Sequence, residues 1–424
     1  MTKLGVASLL IVGCLCVKAQ QPTYDLLLKG GHVIDPKNNI SKVMDVAVSA
    51  GKIARVAENI PAAQAKTVAN VTGLYVTPGL IDMHVHVYNA TPYTSSAPRS
   101  NSVWPDAFSF RSGVTTMVDA GTSGSANFAD FNEHVIQKNK TRVLAFVNIS
   151  KRGMTDFANE DKVEDLDTAG VVKIAKANPK VVVGFKSAHF GGPGWASIDR
   201  AVEASRQTEL PVMVDFGIIT SERNLDGLLR DKLRKGDIYT HCFSGNRREV
   251  ENGKLNPAMD AGRKRGIYFD LGFGAGSFYW WVAVPAYEAK FYPDSISTDL
   301  HKGSMNGGMK DMLQSMAKIL ALGSSLEDVI RMSTVNPARE IKHSELGTLD
   351  VGAEADIAVL RLDRGKFGLT DSAGARKMGD KMLAAEMTLR KGEVVWDLNG
   401  RAALDWEKYP YQKMNYIRGE ATKK

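Results

Sequence analysis

Between roughly residues 74 and 299 the chain alternates short apolar runs with longer helical stretches. The runs cover residues 74–81, 115–118, 143–147, 181–185, 211–214, 238–240, 267–270 and 295–297. They are apolar throughout and lack the in–out alternation of a half-exposed sheet. That suits strands covered on both faces, as in a parallel sheet with helical crossovers. About eight such units predict an α/β architecture, a (β/α)₈ barrel, whose chemistry sits at the C-terminal strand ends.

The two ends of the chain read differently. Residues 23–76 carry short strands and turns, with a hairpin pattern at Ser49-Ala50-Gly51. The segment after Gly347 repeats that style at residues 356–360 and 393–396. One small β-sandwich domain assembled from both termini is therefore expected. Its parts are 20–77 and 346–424, with the barrel over 78–345. Residues 1–19 read as an export signal: Lys3, an apolar stretch too short to span a bilayer, then Val17-Lys18-Ala19. A periplasmic protein is expected, and a lipid anchor on Cys14 is the alternative. After simple cleavage only Cys242 of the three cysteines remains, which excludes an intramolecular disulfide. A formal net charge of +7, without a basic cluster interleaved with aromatics, argues against nucleic acid as a partner. No membrane span is expected in the mature chain.

Candidate chemistry starts at Asp82-Met83-His84-Val85-His86. Two histidines at i and i+2 of a strand share one side and make a natural metal site. Lys186, His241 and Asp299 each close a later apolar run. Lys186 is open to two readings, a salt-bridged structural lysine or a carboxylated lysine bridging metals. Together these residues place five candidate ligands at the ends of four strands.

These motifs make the chain resemble the amidohydrolase superfamily, and within it the dihydroorotase-like deacetylase group. The resemblance also rests on the lead-in 76–82 (VTPGLID), on 111–121 (RSGVTTMVDAG), 241–245 (HCFSG) and 298–301 (TDLH), on Asn336-Pro337-Ala338, and on the return 349–356 (LDVGAEAD). It implies a centre of two divalent ions, zinc foremost and manganese as an alternative. His84, His86 and Asp299 would hold the buried ion, carboxylated Lys186 would bridge, and His241 would hold the outer one. Asp299 would also move the proton from the attacking water to the leaving group. Two departures stand out. Asp215 occupies the place where such proteins usually carry a fifth-strand histidine, so the outer ion is held through oxygen, exchanged for a harder ion, or lost. Phe273 lies in a loop where relatives often carry histidine, which points to altered specificity. His189, Gly276, Ser277 and His301 are candidate substrate contacts.

The expected activity is hydrolysis of an amide or ester of a small acylated compound, such as an N-acyl amino acid. A cyclic-amide hydrolase of the dihydroorotase or hydantoinase type is the second enzyme reading. A non-catalytic binding protein on the same scaffold is the third. Relatives imply a homo-oligomer.

Overall fold

A computed structural model describes residues 22–88, 101–155, 160–217 and 219–411. The expected export signal and Cys14 lie outside the described residues. Five strands open the chain: β1 Tyr24–Asp35, β2 Ile40–Ser49, β3 Lys52–Ala57, β4 Ala65–Asn70 and β5 Tyr75–Pro78. Seven parallel strands follow: β6 Leu80–Val85, β7 Val114–Gly124, β8 Arg142–Asn148, β9 Val182–Ser187, β10 Val212–Val214, β11 Ile238–Tyr239 and, after the small hairpin β12 Val250–Glu251 and β13 Lys254–Leu255, β14 Tyr268–Phe269. β15 Ile357–Thr370, β16 Arg376–Arg390 and β17 Glu393–Asp397 come last.

Strands from both ends of the chain join in one sheet, ordered β17-β16-β15-β5-β1-β2-β3, with β4 on β1. At the β2–β3 turn Ala50 and Gly51 take positive φ of 50° and 77°. That turn matches strand twist and sets Ser49 opposite Lys52. β1 breaks register between Leu28 and Gly31. Its first half pairs with β4 and its second half with β5. The sandwich expected from the sequence thus appears in the ladders as a single eight-stranded sheet.

The second sheet runs β14-β11-β10-β9-β8-β7-β6, and all its neighbours are parallel. β6 and β7 are buried at every residue, as strands covered on both faces must be. The eighth apolar run is not a regular strand. It makes parallel bridges Asp270↔Ser295 to one edge of the sheet and Val85↔Leu300 to the other. A side chain explains the irregularity. The Asp82 carboxylate accepts the Thr298 N–H at 3.0 Å and its hydroxyl at 2.6 Å, in place of a ladder partner. Burial raises the Asp82 carboxyl to about 7 against those two hydrogen bonds.

Two apolar clusters bracket this sheet. The larger packs strands against helices such as Ala196–Thr208 and Met312–Ala321. The smaller gathers Ile81, Met83, Val118, Leu144, Phe146, Val183, Met213 and Ile238 from six strands. Met213 Sδ lies 3.6 Å from Lys186 Nζ, so this cluster forms the floor of the candidate site. Among the described residues no helix is long and apolar enough to cross a membrane.

The two sheets meet at a charged seam. Asp356 accepts from Arg142 of β8 at 2.7 Å, from Arg390 of β16 at 2.9 Å and from the Lys391 N–H at 2.9 Å. Its side chain is only 12 % exposed. Removing one partner of a shielded ion cluster leaves the other charges uncompensated. Asp356→Ala is expected to lower the unfolding free energy by about 3 kcal/mol in urea titrations. A change under about 0.5 kcal/mol, the scale of an exposed ion pair, would remove the seam from the account.

Candidate metal centre

Each candidate ligand sits at or just past the C-terminal end of a barrel strand. His84 is the penultimate residue of β6, and His86 directly follows the strand. Lys186 is in the last two residues of β9, Asp215 directly follows β10, and His241 lies two residues beyond β11. Asp299 comes from the segment that bridges the sheet edges. Crossing strands of a barrel bring these ends together.

The inner half of the site is His84, His86 and Asp299, the one cluster of at least three possible metal donors among the described residues. His86 Nε2 lies 3.0 Å from Asp299 Oδ1, and His84 Nε2 lies 3.7 Å from it. Neighbouring hydroxyls define the His84 tautomer. Thr240 Oγ1 donates to Asp270 Oδ2 at 2.7 Å, so its lone pair is left to accept the His84 Nδ1–H at 2.9 Å. Nε2 is then bare and faces the site. Thr122 Oγ1 contacts His86 Nδ1 at 2.7 Å. Burial, aided by Lys186, lowers His84 to about 3, so it is a neutral imidazole. Burial alone would raise the Asp299 carboxyl, but His84 and His86 hold it below the carboxylate range. Nitrogen and carboxylate donors of this kind suit a divalent ion.

Lys186 is fully buried, and its Nζ lies 3.3 Å from His84 Nε2. Burial pushes the amine below its usual range, against the pull of Asp215, Asp299 and Asp270. Of the two readings left open by the sequence, the salt-bridged structural lysine finds no carboxylate partner within ion-pair distance among the described residues.

The outer half contains His241, Asp215 and His189. Asp215 Oδ2 lies 3.2 Å from His241 Nε2 and 3.0 Å from His189 Nε2. Its other oxygen, Oδ1, accepts from the Arg247 guanidinium. Burial would raise Asp215, but His241, His189 and Arg247 hold it well below the ordinary range. Around His189 the burial effect, which lowers an imidazole, is outweighed by Asp215 and Glu160.

His301 accepts the Gly303 N–H on Nδ1 at 3.0 Å, which leaves its proton on Nε2, 3.8 Å from Asp299 Oδ2. Gly274, with φ +58°, lies so close that a Cβ there would be 2.5 Å from Asp299 Oδ2. Ser277 lines the same loop, and the Gly276 carbonyl meets Asn246 at 3.5 Å. Phe273 is fully buried and stacked on Phe278 at 4.6 Å, so it belongs to the packing behind that loop. His189, His241 and Asp299 all have positive φ, 49°, 60° and 48°. Such backbone costs roughly 1–3 kcal/mol per non-glycine residue and gathers where function fixes the geometry. Sequence reasoning missed Thr122, Thr240, Asp270, Glu160 and Arg247. Thr240 and Asp270 were visible at the ends of apolar runs, whereas Arg247 in Gly245-Asn246-Arg247-Arg248 carries no pattern.

The chain is similar to known proteins over most of its length. The model of the amidohydrolase family matches residues 281–394. A deacetylase of Enterococcus faecalis is 31 % identical over 387 residues, 88 % of this chain and 99 % of the relative. A crystal structure of an adenine deaminase superposes with a TM-score of 0.79 at 29 % identity, covering 88 % of this chain and all of that one. A crystal structure of a dihydroorotase does so with 0.75 at 27 %, covering 88 % and 99 %. The chain belongs to the amidohydrolase family. It is a metal-dependent hydrolase acting on non-peptide C–N bonds, and the non-catalytic reading is set aside.

Two outcomes follow. Thr240→Val removes the acceptor that fixes His84, and should weaken metal affinity about 10–100-fold in competition with a chelator, with the fold retained. Asp299 and Asp215 both have depressed folded pKa values. Their stabilisation is therefore complete above the unfolded carboxyl value of about 3.9 and disappears as pH falls through the folded values. The urea midpoint of metal-free protein should drop below about pH 4, and Asp299→Asn should make that drop shallower. An equally steep drop in the variant would contradict the assignment.

Proposed function

We propose that the protein is an exported deacylase that hydrolyses the amide or ester bond of a small acylated compound such as an N-acyl amino acid. The observation that carries this reading is the buried His84–His86–Asp299 cluster at the barrel mouth, in a chain aligned over nearly the whole of a deacetylase. Two divalent ions, zinc foremost, fit the donors, with manganese favoured if the Asp215 oxygen dominates the outer position. Bound there, such ions polarise an acyl carbonyl and lower the pKa of water.

The residues have distinct tasks in this reading. His84 presents a bare Nε2 that Thr240 keeps in orientation, and Thr122 holds the His86 ring beside Asp299. Lys186, whose amine burial pushes toward its free-base form, would take up carbon dioxide: the N–C bond would form as one C=O bond becomes C–O⁻ and the nitrogen releases a proton, giving a carbamate that would supply oxygen donors to the ions. Asp299 accepts a proton from the attacking water on a carboxylate oxygen and passes it to the departing nitrogen or oxygen. His301 orients Asp299. His189 and the Gly276-Ser277 loop contact the substrate. Export through the 1–19 signal, a barrel over 78–345 with the terminal sheet as a sandwich-like partner domain, and a homo-oligomer belong to the same reading.

The likeness to a dihydroorotase supports the cyclic-amide reading as the alternative. A panel of N-acyl-D- and L-amino acids, acylated hydroxy acids, hydantoins and dihydroorotate separates the two. We expect turnover on the acyclic compounds; turnover confined to the rings would favour the alternative. Asp299→Asn should reduce kcat at least ~10³-fold while metal stays bound, because proton transfer is lost. Wild-type kcat in that variant would remove Asp299 from the proposed role.

A further inference from the structure

Asp215 is a buried carboxylate with its two oxygens in different surroundings. Oδ1 is taken by Arg247, which is itself 7 % exposed and whose Nη1 is held by Ser244 Oγ at 3.3 Å. Oδ2 faces inward, 3.0 Å from His189 Nε2 and 3.2 Å from His241 Nε2. The Gly272 carbonyl, 2.5 Å from His241 Nδ1, can only accept, so in the neutral ring the proton is on Nδ1 and Nε2 is bare. Two lone-pair-bearing atoms thus converge at 3.2 Å. Donors with bonds of ~2.0–2.1 Å to a shared tetrahedral ion are about 3.3 Å apart.

Charge accounting gives the arrangement a purpose. A bare aspartate would add a full negative charge to a site that already holds Asp299 and, on the proposed reading, a carbamate. With Arg247 locked on Oδ1, the Asp215–Arg247 pair sums to zero. The guanidinium also prevents two-oxygen chelation and leaves Oδ2, between His189 and His241, as the oxygen turned into the site. We propose that Asp215 and Arg247 act as one unit, in which Arg247 is a positioning residue that makes Asp215 a single-oxygen, charge-neutral donor to the outer ion. This inference rests on the two-ion hydrolase reading.

The test is metal content by elemental mass spectrometry after reconstitution of full-length mature protein with zinc and bicarbonate. About two ions per chain are expected in wild type. Asp215→His should fall to about one, because Arg247 is left buried beside a dication without its counter-charge. The double variant Asp215→His/Arg247→Met, with a neutral donor and no stranded charge, should return to about two. Two ions in the single variant, or one in the double, would overturn the coupling. One ion in wild type would overturn it too, yet leave the hydrolase reading on the inner ion; no ion would overturn both. Should Asp215→His not fold, Arg247→Met alone still decides. Loss of a nearby positive charge should slow release of the outer ion to a chelator at least ~10-fold, with Arg247→Lys close to wild type. Unchanged or faster release in Arg247→Met would count against the proposal.

Discussion

The barrel mouth withdraws three imidazoles, an amine and several carboxylates from water within one small volume. Each isolated charge there would carry a large desolvation cost, so the site is stable only because its charges and hydrogen-bonding atoms are matched. Asp270 illustrates the matching. One of its oxygens receives Thr240 and Ser297 at 2.7 Å, and the other receives Ser295 at 2.9 Å. Thr240 in turn fixes His84. A single carboxylate behind the strands therefore determines which nitrogen of a candidate ligand is free. The irregular closing segment belongs to the same scheme, since Asp82 replaces ladder bonds at Thr298 and so delivers Asp299 to the inner half.

Much of this was legible in the sequence, for identifiable reasons. Strands buried on both faces leave uninterrupted apolar runs, and β7, β8, β9 and β10 fall on the runs that announced them. The His84/His86 pair was visible because strand period two is rigid. The long β15–β16 hairpin was not legible beyond residue 360. Its outer half is charged, glycine-bearing and partly exposed, so backbone pairing rather than apolar alternation defines it. Arg247 was silent for a different reason: its role comes from a contact with Asp215, 32 residues away, that no local pattern encodes. Phe273, the second departure in the sequence, is buried against Phe278 behind the loop.

The layout separates the demands on the fold. Apolar residues from six strands form the floor beneath Lys186 and deny water to its amine. Strained backbone at His189, His241 and Asp299 surrounds the reacting space, and the Asp356 seam carries the terminal sheet well away from it. The candidate ligands are thereby held by the most buried part of the molecule, while Asn101, 2.9 Å from His301, and the 274–277 loop lie beside it.

The most direct test of the central claim is the crystal structure of zinc-loaded protein with anomalous diffraction collected at the zinc edge. The account predicts a peak within ~2.0–2.2 Å of His84 Nε2, His86 Nε2 and an Asp299 oxygen. A zinc peak elsewhere, with His84 and His86 still bonded only to protein groups, would contradict it.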